Sequence, residues 1–284
     1  MAGNRQRSTP RRRRRCAYLG CREPFTPKAS GRPPLYCSDT CRQAAHRERL
    51  TPRSRRLIRL IEGDARQLLP RLPSASVDLV VTDPPYLFER GSGRHQGDWF
   101  TVMPAQAWPG IFAELHRLLA ADRACYVFCD PRTKPLFDAA AAAAGFTVRR
   151  ALVWDKGAIG LGGAWRAQYE LIGHYEKGHA PYTHSSWGDV RRHRRVRGYP
   201  TEKPAGLLAE LITQSSAPGW HVLDPFCGSG SAGRAAARLG RRATLIDLDA
   251  AAASRRLRLT AEQPEAANVA ECSPRTLNAA GTSE

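Results

Sequence analysis

The chain predicts an α/β fold, a mostly parallel sheet with helices on both faces, behind a small cysteine-bearing N-terminal module. Three observations predict it. From residue 57 onward, short β-branched and apolar runs alternate with helical patterns, the texture of strand–helix–strand units. Two of the apolar runs end in an acid followed by proline, Asp83-Pro84 and Asp224-Pro225. In such sheets ligands bind beyond the carboxyl ends of the strands, where these acids fall. Four cysteines precede the first strand in a stretch too short for an apolar core.

The elements follow in order. Residues 1–15 form a basic tail with five consecutive arginines, Arg11 to Arg15, disordered until it meets phosphate. Residues 16–50 hold the four cysteines, and 51–56 read as a linker. A strand at 57–61 ends at Gly63-Asp64. A short helix leads to a strand at 77–82. Residues 87–100 are glycine-rich and polar, the composition of a mobile loop. The 105–121 stretch has helical spacing, with Ile111, Leu115, Leu118 and Leu119 on one face. A buried strand at 125–128 and an alanine-rich helix at 135–144, closed by Gly145, follow. Strands at 146–154 and 170–175 suit antiparallel pairing. Residues 178–200 are irregular and basic. Then come a helix at 204–214, a strand at 221–224, a glycine loop, a helix at 232–239, a strand at 243–247 and a helix to about 259. Residues 261–284 lack periodicity and read as a disordered tail. The main domain is therefore placed at 57–260.

Composition narrows the function. The 284 residues are 42% hydrophobic, with a formal net charge of +18. That excess points to a polyanionic partner, nucleic acid before a membrane surface, since no basic amphipathic helix stands out. No apolar run approaches the roughly 20 residues of a membrane span, and the basic N-terminus has no apolar segment behind it. A cytoplasmic location is expected, with reduced cysteines.

The glycine loop is the first motif. Val222-Leu223-Asp224-Pro225-Phe226-Cys227-Gly228-Ser229-Gly230-Ser231 reads as a strand, a tight turn and a helix start. A second strand ends in an acid, Asp247, placed to take ribose hydroxyls. The spacing is neither G-x-G-x-x-G nor a phosphate loop with Gly-Lys-Ser/Thr. With no phosphate to cradle, the ligand is a nucleoside with another kind of tail, such as S-adenosylmethionine. The second motif is Val80-Val81-Thr82-Asp83-Pro84-Pro85-Tyr86, a core strand ending in a carboxylate and a ring.

Together these motifs resemble the amino-group DNA methyltransferases, which methylate adenine N6 or cytosine N4. DPPY is similar to that family's catalytic motif and DPFCGSGS to its S-adenosylmethionine loop. Thr201-Glu202-Lys203-Pro204 resembles its cofactor-side motif, and Gly63-Asp64 the acid that binds the cofactor adenine. Trp154-Asp155-Lys156, with Glu170 and Lys177, resembles the end of its central region. The match spans roughly 57–259, and the catalytic motif precedes the cofactor loop, as in the circularly permuted beta group. The resemblance implies a Rossmann-like methyltransferase fold. It implies Asp83, Pro84, Pro85 and Tyr86 as catalytic residues. As cofactor ligands it implies Asp64, Thr201, Lys203, Asp224, Phe226, Gly228, Gly230, Ser231 and Asp247. Adenine N6 is favoured because the acid is Asp, where cytosine-N4 relatives more often show Ser.

The residue types suit the chemistry. An exocyclic amino group is a poor nucleophile because its lone pair is delocalised into the ring. Two acceptors aimed at its hydrogens, the Asp83 carboxylate and the Pro84 carbonyl, draw it toward tetrahedral geometry. The prolines fix φ and donate no N–H. Tyr86 offers a face for a base taken out of the stack. A C5-cytosine methyltransferase would need a Pro-Cys nucleophile, and no cysteine follows a proline. Cys125, Cys129 and Cys227 read as core thiols. Glutamine-directed protein methyltransferases and RNA methyltransferases more often carry Asn at the acid position. A zinc-dependent nucleic-acid-binding protein with an inactive core is disfavoured by the intact Asp83, Tyr86, Gly228, Gly230 and Asp247.

Cys16-x4-Cys21 and Cys37-x3-Cys41 form two knuckle-like pairs, suited to a closed tetrahedral zinc site whose metal supplies the folding energy. The slot for target recognition, 178–200, is too short for a domain. It holds Arg191, Arg192, Arg194, Arg195 and Arg197, five arginines in seven residues, expected to contact DNA phosphates. The 87–103 loop, the cysteine module or the second subunit of a homodimer would supply the remaining specificity.

Overall fold

A computed structural model describes residues 14–15, 24–26, 37–48, 50–86, 103–160, 163–196 and 202–263. The chain divides into two compact units, 1–49 with 196–202, and 50–195 with 203–284. In the first, Arg14–Arg15 pairs antiparallel with Pro24–Phe25, and a helix spans Asp39–Glu48.

The second unit is built on an eight-stranded sheet. Its strands are β1 (Ile58–Glu62), β2 (Val77–Thr82), β3 (Leu119–Cys129), β4 (Thr147–Asp155), β5 (Tyr169–Lys177), β6 (Val190–Arg192), β7 (His221–Asp224) and β8 (Arg242–Asp247). The order across the sheet is β1-β8-β7-β2-β3-β5-β4-β6. β5 alone among them runs antiparallel to its neighbours. Helices α1 (Trp108–Leu118), α2 (Lys134–Ala143), α3 (Ala205–Gln214), α4 (Ser231–Arg238) and α5 (Ala251–Leu257) cover the faces. No helix of the described residues is long and apolar enough to cross a membrane.

β2 shows why the strands read as continuous apolar runs. Leu79 and Val81 enter one core cluster, with Leu60, Tyr126, Leu207 and Ala236. Val80 enters the other, with Ile61, Phe112, Val127 and Phe137. A parallel strand covered on both sides needs apolar residues at every position.

Four expectations change. The 51–56 stretch is a helix, Pro52–Arg55, capped by the Thr51 hydroxyl and carrying proline in its first turn. β3 starts at Leu119, before the expected 125, through an irregular register and Asp122 at φ 57°. The polar residues of that bulge break the apolar run by which a strand is read. The 178–200 segment contributes β6, parallel to β4. The chain after α5 returns to the sheet edge: Glu262 exchanges backbone hydrogen bonds with Leu60 and Glu62, and its carboxylate accepts from Arg59 Nε at 2.8 Å. The 87–100 loop, the arginine run at 11–13 and residues 264–284 lie outside the described residues.

Candidate active site

β2 and β7 are parallel neighbours, so the acids that follow or end them emerge side by side at the carboxyl edge of the sheet. Thr82, the last residue of β2, donates its hydroxyl to Asp224 Oδ1 at 2.7 Å across 142 residues of sequence. That buried bond holds the two motifs in fixed relation.

On the β7–β8 side the site is carboxylates and backbone. Asp224 also accepts the Phe226 N–H at 3.2 Å. Burial raises its pKa to about 7, against the hydrogen bonds from Thr82 and Phe226. The chain then turns through Gly228 at φ 49° and Gly230 at φ 72°, left-handed conformations that suit glycine. A Cβ on Gly230 would come within 2.7 Å of Leu257 Cδ1, so α4 and α5 pack closely at this turn. Asp247 closes the loop, accepting the Gly228 N–H at 2.7 Å and the Asp249 N–H at 3.1 Å. Burial raises its pKa beyond what those bonds restore. Beside it, the Gly63 N–H donates to the Asp247 carbonyl at 2.8 Å. Asp64 caps the Ala65–Leu68 helix and pairs with Arg66 at 2.6 Å. Hydrogen bonds from that guanidinium hold its carboxyl below the usual range. Asp224, Phe226, Gly228, Gly230, Ser231 and Asp247 thus gather around adjacent strand ends. Asp64 follows the next strand over, and Thr201 lies outside the described residues.

On the β2 side the site is a chain of ion pairs. Asp83 Oδ1 accepts the Tyr86 hydroxyl at 2.9 Å, and Oδ2 accepts Lys203 Nζ at 2.5 Å. Lys203 also reaches Glu170 Oε2 at 3.2 Å, and Lys156 Nζ holds Glu170 Oε1 at 2.7 Å. The side chains of Lys203 and Lys156 are 5% and 7% exposed. Lys203 stands 5.0 Å from the Phe128 ring centroid and 5.9 Å from those of Tyr86 and Trp154, so aromatic rings wall the ammonium. Burial pushes Asp83 upward, with Lys203 pulling it back and Glu170 adding to the rise. Burial would lower Lys203, but Asp83 and Glu170 more than offset it. Burial would raise Glu170, yet the two lysines hold it below its ordinary value.

Lys203, expected among the cofactor ligands, rests its ammonium on the carboxylates of Asp83 and Glu170. Lys156 and Glu170 stood in the sequence only as part of a resembling stretch. Their available signal was charge at the ends of otherwise apolar strand patterns. Lys177, named with them, lies at the opposite end of β5, donating to the carbonyls of His116 and Leu119.

Two of the five clustered arginines pair with acids. Arg191 Nε meets Glu210 at 2.8 Å with its guanidinium 4.9 Å from the Trp187 ring centroid, and Arg192 meets Asp155 at 3.3 Å. Arg194 and Arg195 are exposed, and Arg197 lies outside the described residues. A cavity of about 760 Å³ beside α3 is lined by Tyr126, His174, Trp187 and Arg191, among others, and by none of the DPPY or glycine-loop residues. Cys125, Cys129 and Cys227 are buried, and burial raises all three thiols above their usual range. None suits a nucleophile. In the first unit, Cys37 and Cys41 bring their sulfurs to 3.4 Å. Cys16 and Cys21 lie outside the described residues, and among the described ones no three His, Cys, Asp or Glu side chains cluster as metal ligands.

Comparison with known proteins agrees with this geometry. Residues 77–187 and 182–255 match the N6/N4 family described as DNA methylase. The putative methylase YubD of Escherichia coli K12 is 33% identical over 193 residues, covering 67% of this chain and 84% of the relative. The DNA adenine methyltransferase YhdJ of the same organism is 27% identical over 230 residues, covering 67% and 78%. Among solved structures, a putative DNA modification methylase from Thermus thermophilus, complexed with S-adenosyl-L-methionine, superposes with a TM-score of 0.55. It is 25% identical and covers 70% of this chain and 92% of that one. The PvuII cytosine-N4-specific DNA methyltransferase shares the fold at a TM-score of 0.56 and 15% identity, covering 68% and 84%. With its motif-bearing strands matched and its sheet shared, this chain belongs to the N6/N4 DNA methylase family.

Proposed function

We propose that this protein transfers a methyl group from S-adenosylmethionine to the N6 amino group of adenine in double-stranded DNA, as a permuted beta-group enzyme. The observation that carries the reading is the Thr82–Asp224 bond, which sets Asp83 beside the glycine loop. Asp224, Asp247 and the turn at Gly228 and Gly230 form a cradle of carboxylates and close backbone with no ion pair to Asp224 or Asp247 among the described residues. That donor set fits a cationic nucleoside, with Asp247 on the ribose and Asp224 toward the cationic tail. When bound, the sulfonium supplies an already activated methyl group.

The chain's own residues do the rest. The incoming amino group takes the acceptor place at Asp83 Oδ1 that the Tyr86 hydroxyl holds, and the Pro84 carbonyl takes its second hydrogen. Tyr86 then offers its ring to the base. Lys203, tethered by Glu170, keeps Asp83 ionised and oriented. After transfer the nitrogen carries one proton too many, and Asp83 accepts it and passes it to water. Fixed charges aimed at a developing charge give most of the acceleration.

Asp83 and the adenine-methylating relative support adenine over cytosine N4. Incubation with unmethylated DNA and labelled cofactor, followed by nucleoside mass spectrometry, should yield N6-methyl-2′-deoxyadenosine. N4-methylcytosine would move the acceptor, and no methylated nucleoside would remove the activity.

We further propose one zinc ion held by Cys16, Cys21, Cys37 and Cys41. The Cys37–Cys41 separation, with Cys41 in the first turn of a helix, suits two thiolates on one tetrahedral ion. Metal analysis should give one zinc per chain, and much less would remove the site.

A further inference from the structure

The turn joining β4 to β5 stands at the same edge of the sheet as Asp83, because β4 runs in the direction of β2 and β3. Lys156 and Glu170, both in the ion-pair chain under Tyr86, are the residues at its base. The stem is braced. Lys156 N–H donates to the Gln168 carbonyl at 2.9 Å and Gly160 N–H to the Ala167 carbonyl at 2.8 Å. Arg166 Nε donates to the Gly160 carbonyl at 2.8 Å, and Asp155 Oδ1 takes both the Gly157 N–H and the Gln168 amide. Residues 161–162 lie outside the described residues; past the stem Trp165 is 100% exposed, and on it Ile159 is 58% and Tyr169 44% exposed. Three of the eight exposed large apolar side chains among the described residues thus fall within eleven residues. Exposing an indole forgoes burial of roughly 150–250 Å² of ring surface, and three exposed apolar side chains this close in sequence suit contact with a partner.

We infer that this turn enters duplex DNA beside the target base, with Trp165 stacking in the space that the extruded base vacates. The inference rests on the proposed base methylation. Asp83 is half-buried behind Tyr86, so a base inside the duplex cannot reach it and must leave the stack. Extrusion leaves an unstacked gap costing a few kcal/mol, which an inserted apolar wedge offsets. The flank favours DNA over a second copy of this chain. Exposed Arg166 adjoins Trp165 in the turn, and Arg192, 72% exposed, lies in register with Asp155 at its base and pairs with it at 3.3 Å. A second copy would bring the same arginines against them, whereas phosphates neutralise them.

The test compares wild type and Trp165→Ala in single-turnover methylation, at the site located by sequencing methylated plasmid. One duplex carries the normal pair, and the other an abasic site opposite the target, where the base is already loosened. A fully exposed side chain leaves the melting temperature and cofactor affinity unchanged, which serves as the folding control. The expected result is a loss of at least tenfold on the paired duplex that recovers to within about threefold on the abasic one, with Trp165→Phe in between. Equal loss on both duplexes, or no loss, overturns the insertion. A change in sedimentation on Trp165→Ala assigns the turn to a contact between copies and also overturns it. Failure of the wild type to methylate any DNA would show before the variant is compared, and would bring down the function together with this inference.

Discussion

Asp83 and Asp224 stand at the ends of neighbouring strands, yet their surroundings differ in kind. Around Asp83 the charges alternate, Lys156–Glu170–Lys203–Asp83, and each acid has an ammonium within 2.7 Å. Around Asp224 and Asp247 there are only N–H and hydroxyl donors, and burial raises both acids. A buried charge without a counterion is costly, so it persists where a ligand will supply one. The compensated half suits a neutral partner that needs a well-aimed acceptor. The uncompensated half suits a cation. That contrast maps onto a neutral base amino group and a cationic methyl donor.

The strongest test of the contrast removes the acceptor. Asp83→Ala should lower single-turnover transfer by on the order of a thousandfold, while the cofactor dissociation constant, read by calorimetry, stays within about threefold. Parallel losses in rate and affinity would mean that the halves are not separate. Asp247→Asn should do the reverse, weakening cofactor affinity about 10- to 100-fold and sparing the rate at saturation.

The uncompensated half also has a signature in stability. Asp224 binds its proton more tightly when folded, with a pKa near 7 against an ordinary 3.8, so the folded state holds more protons between those values. Stability from this group is therefore full at low pH and lost as pH rises toward 7 and above. His174, which burial lowers to about 4, acts oppositely below its ordinary value, so the comparison must be with Asp224→Asn at each pH. Without cofactor, wild type minus variant stability should fall by a few kcal/mol from pH 4 to 8 in chemical denaturation. A flat difference would show that Asp224 is not buried unpaired.

The smallest effect separates two roles for Lys203. Its ammonium lowers the pKa of Asp83, so Lys203→Met should move the acid limb of the rate profile to higher pH, with Lys203→Arg restoring it. Cofactor affinity should not change. If affinity falls and the limb stays, the lysine serves the cofactor side, as the resemblance implied.

The sequence was most readable where function demands local rules. Asp83 and Asp224 were legible because a β-branched run into Asp-Pro announces a strand end, and Gly228 and Gly230 because left-handed turns take glycine. The start of β3 was hidden by a bulge around Asp122. The 52–55 helix was legible in Thr51 and Pro52, a capping residue and a first-turn proline, but arginines beside it gave the look of a linker.

By itself the sequence determined the strands, the two motifs and the acids they carry, because apolar periodicity and turn chemistry act over a few residues. Only the tertiary structure decided which groups meet. Laying β7 beside β2 brings Thr82 to Asp224, and the crossing of α3's approach with β5 brings Lys203 between Asp83 and Glu170. Those partners are 33 to 142 residues apart, and strand order, which no local pattern encodes, is what closes the distance.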